Sequence, residues 1–131
     1  MNDIFDLIPK DKFDNSNMEI LKTINADEVK PILGKLLEWL QDLNWPVAME
    51  LIRILPRFHF NLIPHIKAVF DSDDDVWKCR TLCLIKDFPP ETLKLLAPEI
   101  KRMAEFPTTG EIEEGANEYA VEIIQMANSI A

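Results

Sequence analysis

Apolar positions recur along most of this chain at helical spacing. Val29, Ile32, Leu33, Leu36, Leu37, Leu40 and Leu43 follow the i, i+3, i+4, i+7 template. Leu93, Leu96, Ala97, Ile100, Met103 and Ala104 do the same, as do Ile112, Ala116, Tyr119, Ala120, Ile123, Ile124 and Ala127. Each set forms a one-sided stripe, the mark of a helix with one face on a core. No stretch sustains the period-two alternation of a half-buried strand. Segments 46–57, 61–70 and 75–87 lie between these stripes. "MELIRIL" and "WKCRTLCLI" are apolar on nearly all sides, which predicts interior helices. The fold class expected is all-α.

The predicted helices pair up as helix, short turn, helix over 28–57, 60–88 and 90–128. Pro31, Pro64 and Pro98 recur at intervals of 33 and 34 residues, and Trp45 and Trp77 each open the second helix of a pair. Self-similarity at this period predicts an α-solenoid with HEAT-like phasing, about three hairpins in one domain over 1–131. Each proline should bend or tighten the early turns of its helix. Residues 1–27 fit the repeat less well. They read as an extended strap followed by a short helix, "MEILKTI", capped by Asn15 or Ser16.

Composition narrows the partners. The chain has 131 residues and a net charge of −9, with 23 acidic against 14 basic residues. Ten of the acids fall in two places: Asp71, Asp73, Asp74 and Asp75, then Glu105, Glu111, Glu113, Glu114, Glu118 and Glu122, a C-terminal stretch without lysine or arginine. The rest of the chain is close to neutral. Nucleic acid and anionic membrane are disfavoured as partners. No apolar run reaches the roughly 20 residues of a membrane span, and no signal-peptide core is visible, so a cytoplasmic location is expected. Cys79 and Cys83, four apart on a helix, are too widely spaced for a disulfide.

"DSDDDVWKCR" at 71–80 concentrates the acidity. Asp71, Asp73 and Asp75 occupy the first, third and fifth places of a calcium loop, but Val76 stands where glycine makes the turn and Leu82 where a closing glutamate belongs. No metal is expected. Aspartates suit the first turn of a helix, whose free N–H groups and partial positive charge they satisfy. Thr108 and Glu111 form a capping box of the same kind, and Asn44 can cap a helix with Pro46 in its opening turn. Capping explains one or two acids per turn. Aligned in a solenoid, the turns would form a ridge of Asp42, Asn44 and Trp45, then Asp71, Asp73, Asp74 and Asp75 beside Trp77 and Lys78, then Glu111, Glu113 and Glu114. Such a ridge would receive a basic protein surface.

Other chemistry is sparse. His59 and His65 lie in no metal-binding or catalytic pattern, and two thiols without further ligands make a poor zinc site. No glycine-rich phosphate loop or nucleophile elbow occurs. No catalytic residue and no cofactor is expected. Trp39, at the margin of its stripe, should be half-buried. Met18, Met49 and Met126 read as packing residues.

"LIPKDKFD" (7–14), "LLEWLQDLNWPVA" (36–48), "SDDDVWK" (72–78) and "PTTGEIEE" (107–114) together resemble a bacterial family known as domain of unknown function 5071. The resemblance runs in order over almost the whole chain. It implies a compact HEAT-like helical domain and no established activity. Its boxes correspond here to Pro9, Lys10, Asp11, Asp14, Trp39, Asp42, Asn44, Trp45, Pro46, Asp74, Trp77 and Lys78. Members read an aromatic pair after that lysine where this chain has Cys79 and Arg80.

The function expected is a non-enzymatic protein-binding module with an acidic edge for a basic partner, of the kind an immunity protein would need against a basic toxin. The alternative is an enzyme, or an enzyme-associated subunit, with a small-molecule pocket near Trp45 and Trp77.

Overall fold

The computed structural model describes residues 3–41 and 45–126, and among these every regular element is helical. Asp3 caps a 3-10 turn at Ile4–Leu7. The helices are α1 (Met18–Leu21), α2 (Ala26–Val29), α3 (Leu33–Glu38), α4 (Pro46–Ile54), α5 (His59–Phe70), α6 (Asp75–Ile85), α7 (Pro90–Lys94), α8 (Ala97–Glu105), α9 (Thr109–Glu113) and α10 (Ala116–Met126). Further 3-10 turns lie at Lys30–Ile32, between α2 and α3, at Trp39–Gln41, after α3, and at Leu55–Phe58, between α4 and α5.

The long stripes of the sequence are cut into shorter helices for local reasons. Pro31 sits in the 3-10 turn between α2 and α3 and tightens it, as expected. Pro98 lies in the first turn of α8, where its missing N–H is not needed. Pro64 instead falls inside α5, exposed on its solvent side. The stripe from Ile112 to Ile124 is not one helix. Gly115 has φ 87°, a left-handed conformation that ends α9 before α10 begins. Ile112 is accordingly exposed.

The core is mainly aliphatic, with Phe58, Phe70 and Phe88 buried in it as well. Leu33, Leu36 and Leu37 of α3, Leu62 and Ile66 of α5, Leu82 and Ile85 of α6, and Ala120 and Ile123 of α10 are all buried in it. Helix α3 packs on α5, α5 on α6, α6 on α10, and α10 on α8. Helix α6 is the interior helix that its sequence predicts, touched by α5, α9, α10 and two 3-10 turns. Helix α4 is not. Val47, Ala48, Leu51 and Ile54 are buried, while Met49 and Arg53 face water. Met18 is a packing residue, but Met49 and Met126 are exposed.

The N-terminal segment is less extended than a strap. Asp14 accepts hydrogen bonds from the Lys10 and Ser16 N–H groups and from the Ser16 hydroxyl, at 2.9, 3.2 and 2.6 Å, and so winds this stretch into turns. Helix α1 begins with Asn17, not Asn15 or Ser16, at the cap position, and that side chain donates to the Asp6 carbonyl instead. The Lys12 carbonyl accepts from the Val47 N–H at 3.1 Å, satisfying a free donor in the first turn of α4. Arg57 closes the other side, donating to the Leu21 and Ile24 carbonyls at 2.7 and 3.0 Å. No described helix is long and apolar enough to cross a membrane.

Candidate functional site

The acidic turn is first a helix start. Asp74 caps α6 by accepting from the Trp77 N–H at 3.0 Å. Trp77 then points its indole N–H across to α3, where the Leu37 carbonyl accepts it at 3.1 Å. One turn of sequence thus fixes both the start of α6 and its seat on α3.

Lys78 and Glu111 do not belong to an exposed ridge, and this corrects the expectation for both. Lys78 is 5% exposed and Glu111 is fully buried. They meet at 3.0 Å. Thr108 and Glu111 form the predicted capping box: the Glu111 N–H donates to the Thr108 hydroxyl, and the Glu111 carboxylate accepts the Thr108 N–H at 2.9 Å. The same carboxylate takes both terminal nitrogens of Arg102, one of them at 2.9 Å. Lys78 also reaches Asp75 at 3.1 Å.

Two carboxylates and two cations therefore share one site, in which the buried Glu111 carboxylate accepts four hydrogen bonds and Arg102 stays partly exposed. Burial alone would disfavour the Glu111 anion. The Arg102 guanidinium, the Thr108 N–H and the Lys78 ammonium outweigh burial and hold its pKa at about 2. Burial likewise opposes the Lys78 charge, and its bonds to Glu111 and Asp75 raise its pKa against that.

Gly110 completes the contact. A Cβ built there would collide with the Asp75 carboxylate, so the bare glycine backbone leaves that side chain room to face Lys78. The sequence showed the capping box and the aspartates, but not that one closes on the other. Arg102 and Gly110 were missed. Arg102 stands on α8 with no pattern linking it to Glu111 nine residues on.

The remaining acids point outward. Asp71, Asp73 and Asp74 before α6, and Glu113 and Glu114 around the end of α9, are exposed. Asp75 is half-buried. Among the described residues none of the five exposed carboxylates lies in an ion pair. The expected ridge members Asp42 and Asn44 lie outside the described residues, and with them the expected cap at Asn44. Trp45 stands at the cap position of α4 without a side-chain bond. Its ring packs edge-on against Trp39, centroids 5.4 Å apart.

Three shallow grooves adjoin one another, the first over the N-terminal segment and α3, the second over α3 and α5, the third over the Lys30–Ile32 turn and α5. The first, about 290 Å³, is lined by Ile8, Pro9, Trp39 and Trp45, with Lys35 and Glu38 at its border. The second, about 350 Å³, shares Lys35 and Glu38 and reaches Gly34, His65 and Trp77. The third, about 310 Å³, shares His65 and runs to Phe60 and Pro64. Trp39, Trp45 and Trp77 are half-buried, as foreseen for Trp39. His65 packs so closely on Gly34 that a Cβ there would meet the ring at 2.9 Å. His59 is held by Thr92 at 2.8 Å.

The cysteines are both free, Cys79 buried and Cys83 partly so. Burial pushes the Cys79 thiol up, and the neighbouring Cys83 adds to this. Cys83 in turn pushes the Tyr119 hydroxyl up to about 12. Among the described residues no group of three or more histidine, cysteine or carboxylate side chains is placed to hold a metal.

Fold and site together define a small all-helical domain in which two of the sequence boxes, 72–78 and 107–114, meet at one ion cluster. The sequence pattern of the family described as Domain of unknown function (DUF5071) matches residues 7–124, and the chain belongs to that family. A search of curated proteins finds no match.

Proposed function

We propose that this chain is a non-enzymatic protein-binding module whose acidic edge receives a basic protein surface. The observation that carries the reading is the set of five exposed, unpaired carboxylates, Asp71, Asp73, Asp74, Glu113 and Glu114. They sit on two segments locked together through Asp75, Gly110, Lys78 and Glu111. Holding like charges close on a rigid frame costs free energy that a cationic partner relieves, and it steers that partner's approach.

A HEAT-like array of about three hairpins suits this role, because its turns share one edge. Two packings support that arrangement: the first helices α3 and α5 lie together, and so do the second helices α6 and α10. In this reading the protein acts in the bacterial cytoplasm, and a basic toxin domain, neutralised by an immunity protein, is the kind of partner that fits. The alternative, a small-molecule pocket near Trp45 and Trp77, has less support. The two indoles open onto different grooves, on either side of Lys35 and Glu38.

The test is affinity capture from native cell extract at low and high salt, with wild type beside an Asp71→Lys, Asp73→Lys, Glu113→Lys variant. Asp74 is left intact because it caps α6. A basic protein held at low salt, released at high salt and lost by the variant is the expected result. Capture indifferent to both changes would overturn the acidic edge.

A further inference from the structure

Two large apolar side chains stand exposed within the acidic segment that follows α8. Phe106 is 76% exposed, the most of any large apolar residue among those described, and Ile112 is 57% exposed. Neither belongs to the core or to the residues packed against it. A single exposed apolar residue is ordinary on a protein surface. These two differ in how they are held. The Phe106 N–H donates to the Arg102 carbonyl at 2.7 Å, and the Phe106 carbonyl accepts from the Arg102 guanidinium at 3.4 Å. That guanidinium is tied in turn to Glu111. The Ile112 N–H donates to the Thr108 carbonyl at 3.1 Å, one residue on from the buried Glu111. The ion cluster thus fixes the backbone under both side chains, so a partner that meets them has little backbone to order.

Charge selects what can cover them. The turn at 71–75 and the stretch 105–114 meet where Gly110 faces Asp75. On these two joined segments Asp71, Asp73, Asp74, Glu105, Glu113 and Glu114 are exposed, and among the described residues none of them lies in an ion pair. Glu105 directly precedes Phe106, and Glu113 directly follows Ile112. Of the two cations at the end of α8, Arg102 is committed to Glu111 through both terminal nitrogens, which leaves Lys101 alone against these acids. A second copy of this chain would set the same carboxylates against each other, whereas a basic surface meets them with opposite charge. An apolar centre within a charged rim is the usual build of a protein interface.

We propose that Phe106 and Ile112 are the apolar anchors of the acidic edge, and that they dock on a basic protein surface with apolar side chains at its centre. The proposal rests on the basic-partner reading above and deepens it by naming the residues that hold the partner. The carboxylates steer and orient the basic surface, and the two anchors retain it by apolar burial.

The experiment titrates the full chain at low salt against two dye-labelled probes of equal length, poly-lysine and a random lysine–leucine copolymer, and follows fluorescence anisotropy. Wild type should bind the copolymer about fivefold more tightly than poly-lysine. Phe106→Ser combined with Ile112→Ser, exposed changes that leave the core untouched, should remove this preference and leave poly-lysine binding as it was. Phe60→Ser, also exposed but in the groove beside Lys30, should keep it. No preference in wild type, a preference that survives the double serine change, or one that Phe60→Ser also removes would overturn the proposal. The Asp71, Asp73, Glu113 reversal separates the two readings. If it leaves poly-lysine binding intact while the serine changes still remove the preference, the acidic edge fails and the apolar anchors stand. If it abolishes poly-lysine binding while the serine changes leave the preference in place, the acidic edge stands and the anchors fail.

Discussion

Lys78 and Glu111, 33 positions apart in the chain, are joined by a 3.0 Å hydrogen bond in the interior. This bond turns two sequence boxes into one structure. It also removes a carboxylate and a cation from the surface that the sequence assigned them to. Glu111 additionally serves Arg102 and the Thr108 N–H, so its loss takes the carboxylate from Arg102 and leaves the buried Lys78 with Asp75 alone.

Glu111→Gln should therefore destabilise the fold by roughly 3 kcal/mol, the cost of breaking a buried ion pair from one side, held to the low end because Lys78 keeps Asp75. Lys78→Met should cost less, about 1–2 kcal/mol, because Glu111 keeps Arg102 and its cap. Urea denaturation of both variants measures this. The reverse order of costs would mean that Glu111 is not the hub.

Gly110→Ala places a Cβ against Asp75 Oδ2 and must push that carboxylate off Lys78. A loss of roughly 1–2 kcal/mol is expected, against the gain that alanine ordinarily brings to a helix. Removing the obstacle tests the cause. In the Asp75→Ala background the same glycine change should be neutral or stabilising, so the two substitutions should be strongly non-additive.

Acid should act through Glu111. Its pKa is about 2 in the fold against an ordinary 4.5. A depressed pKa contributes stability that is complete above the unfolded value and disappears as pH falls from 4.5 towards 2. The contribution at stake is roughly 3 kcal/mol. Stability curves of wild type and Glu111→Gln, taken across this window, should converge as the pH drops. Parallel curves would refute the assignment.

The two thiols should differ in reactivity. Cys79 is buried and its pKa is raised, while Cys83 is partly exposed. Thiolate, not thiol, reacts with a disulfide reagent. Native protein should show one reacting group, abolished by Cys83→Ser, with Cys79 appearing only on unfolding. Equal rates at both positions would contradict the packing of α6.

Sequence alone determined the helical class, because every apolar stripe has the period of a helix and none that of a strand. It also located the capping box at Thr108 and Glu111 and the half-buried state of Trp39, since these depend on neighbours within a turn or two. It overextended the helices. Apolar period does not register where Gly115 turns left-handed, so Ile112 was placed on a core stripe that ends beside it. Only the tertiary structure decided which acids face water. Asp73 and Glu111 look alike in the sequence, both sitting near a helix start. Glu111 lies within reach of Lys78 from α6 and Arg102 from α8, and burial with two cations is a matter of distance in space. The seat of Trp77 is of the same kind, since its indole N–H reaches the Leu37 carbonyl from 40 positions away and only the packing of the helices brings the two together.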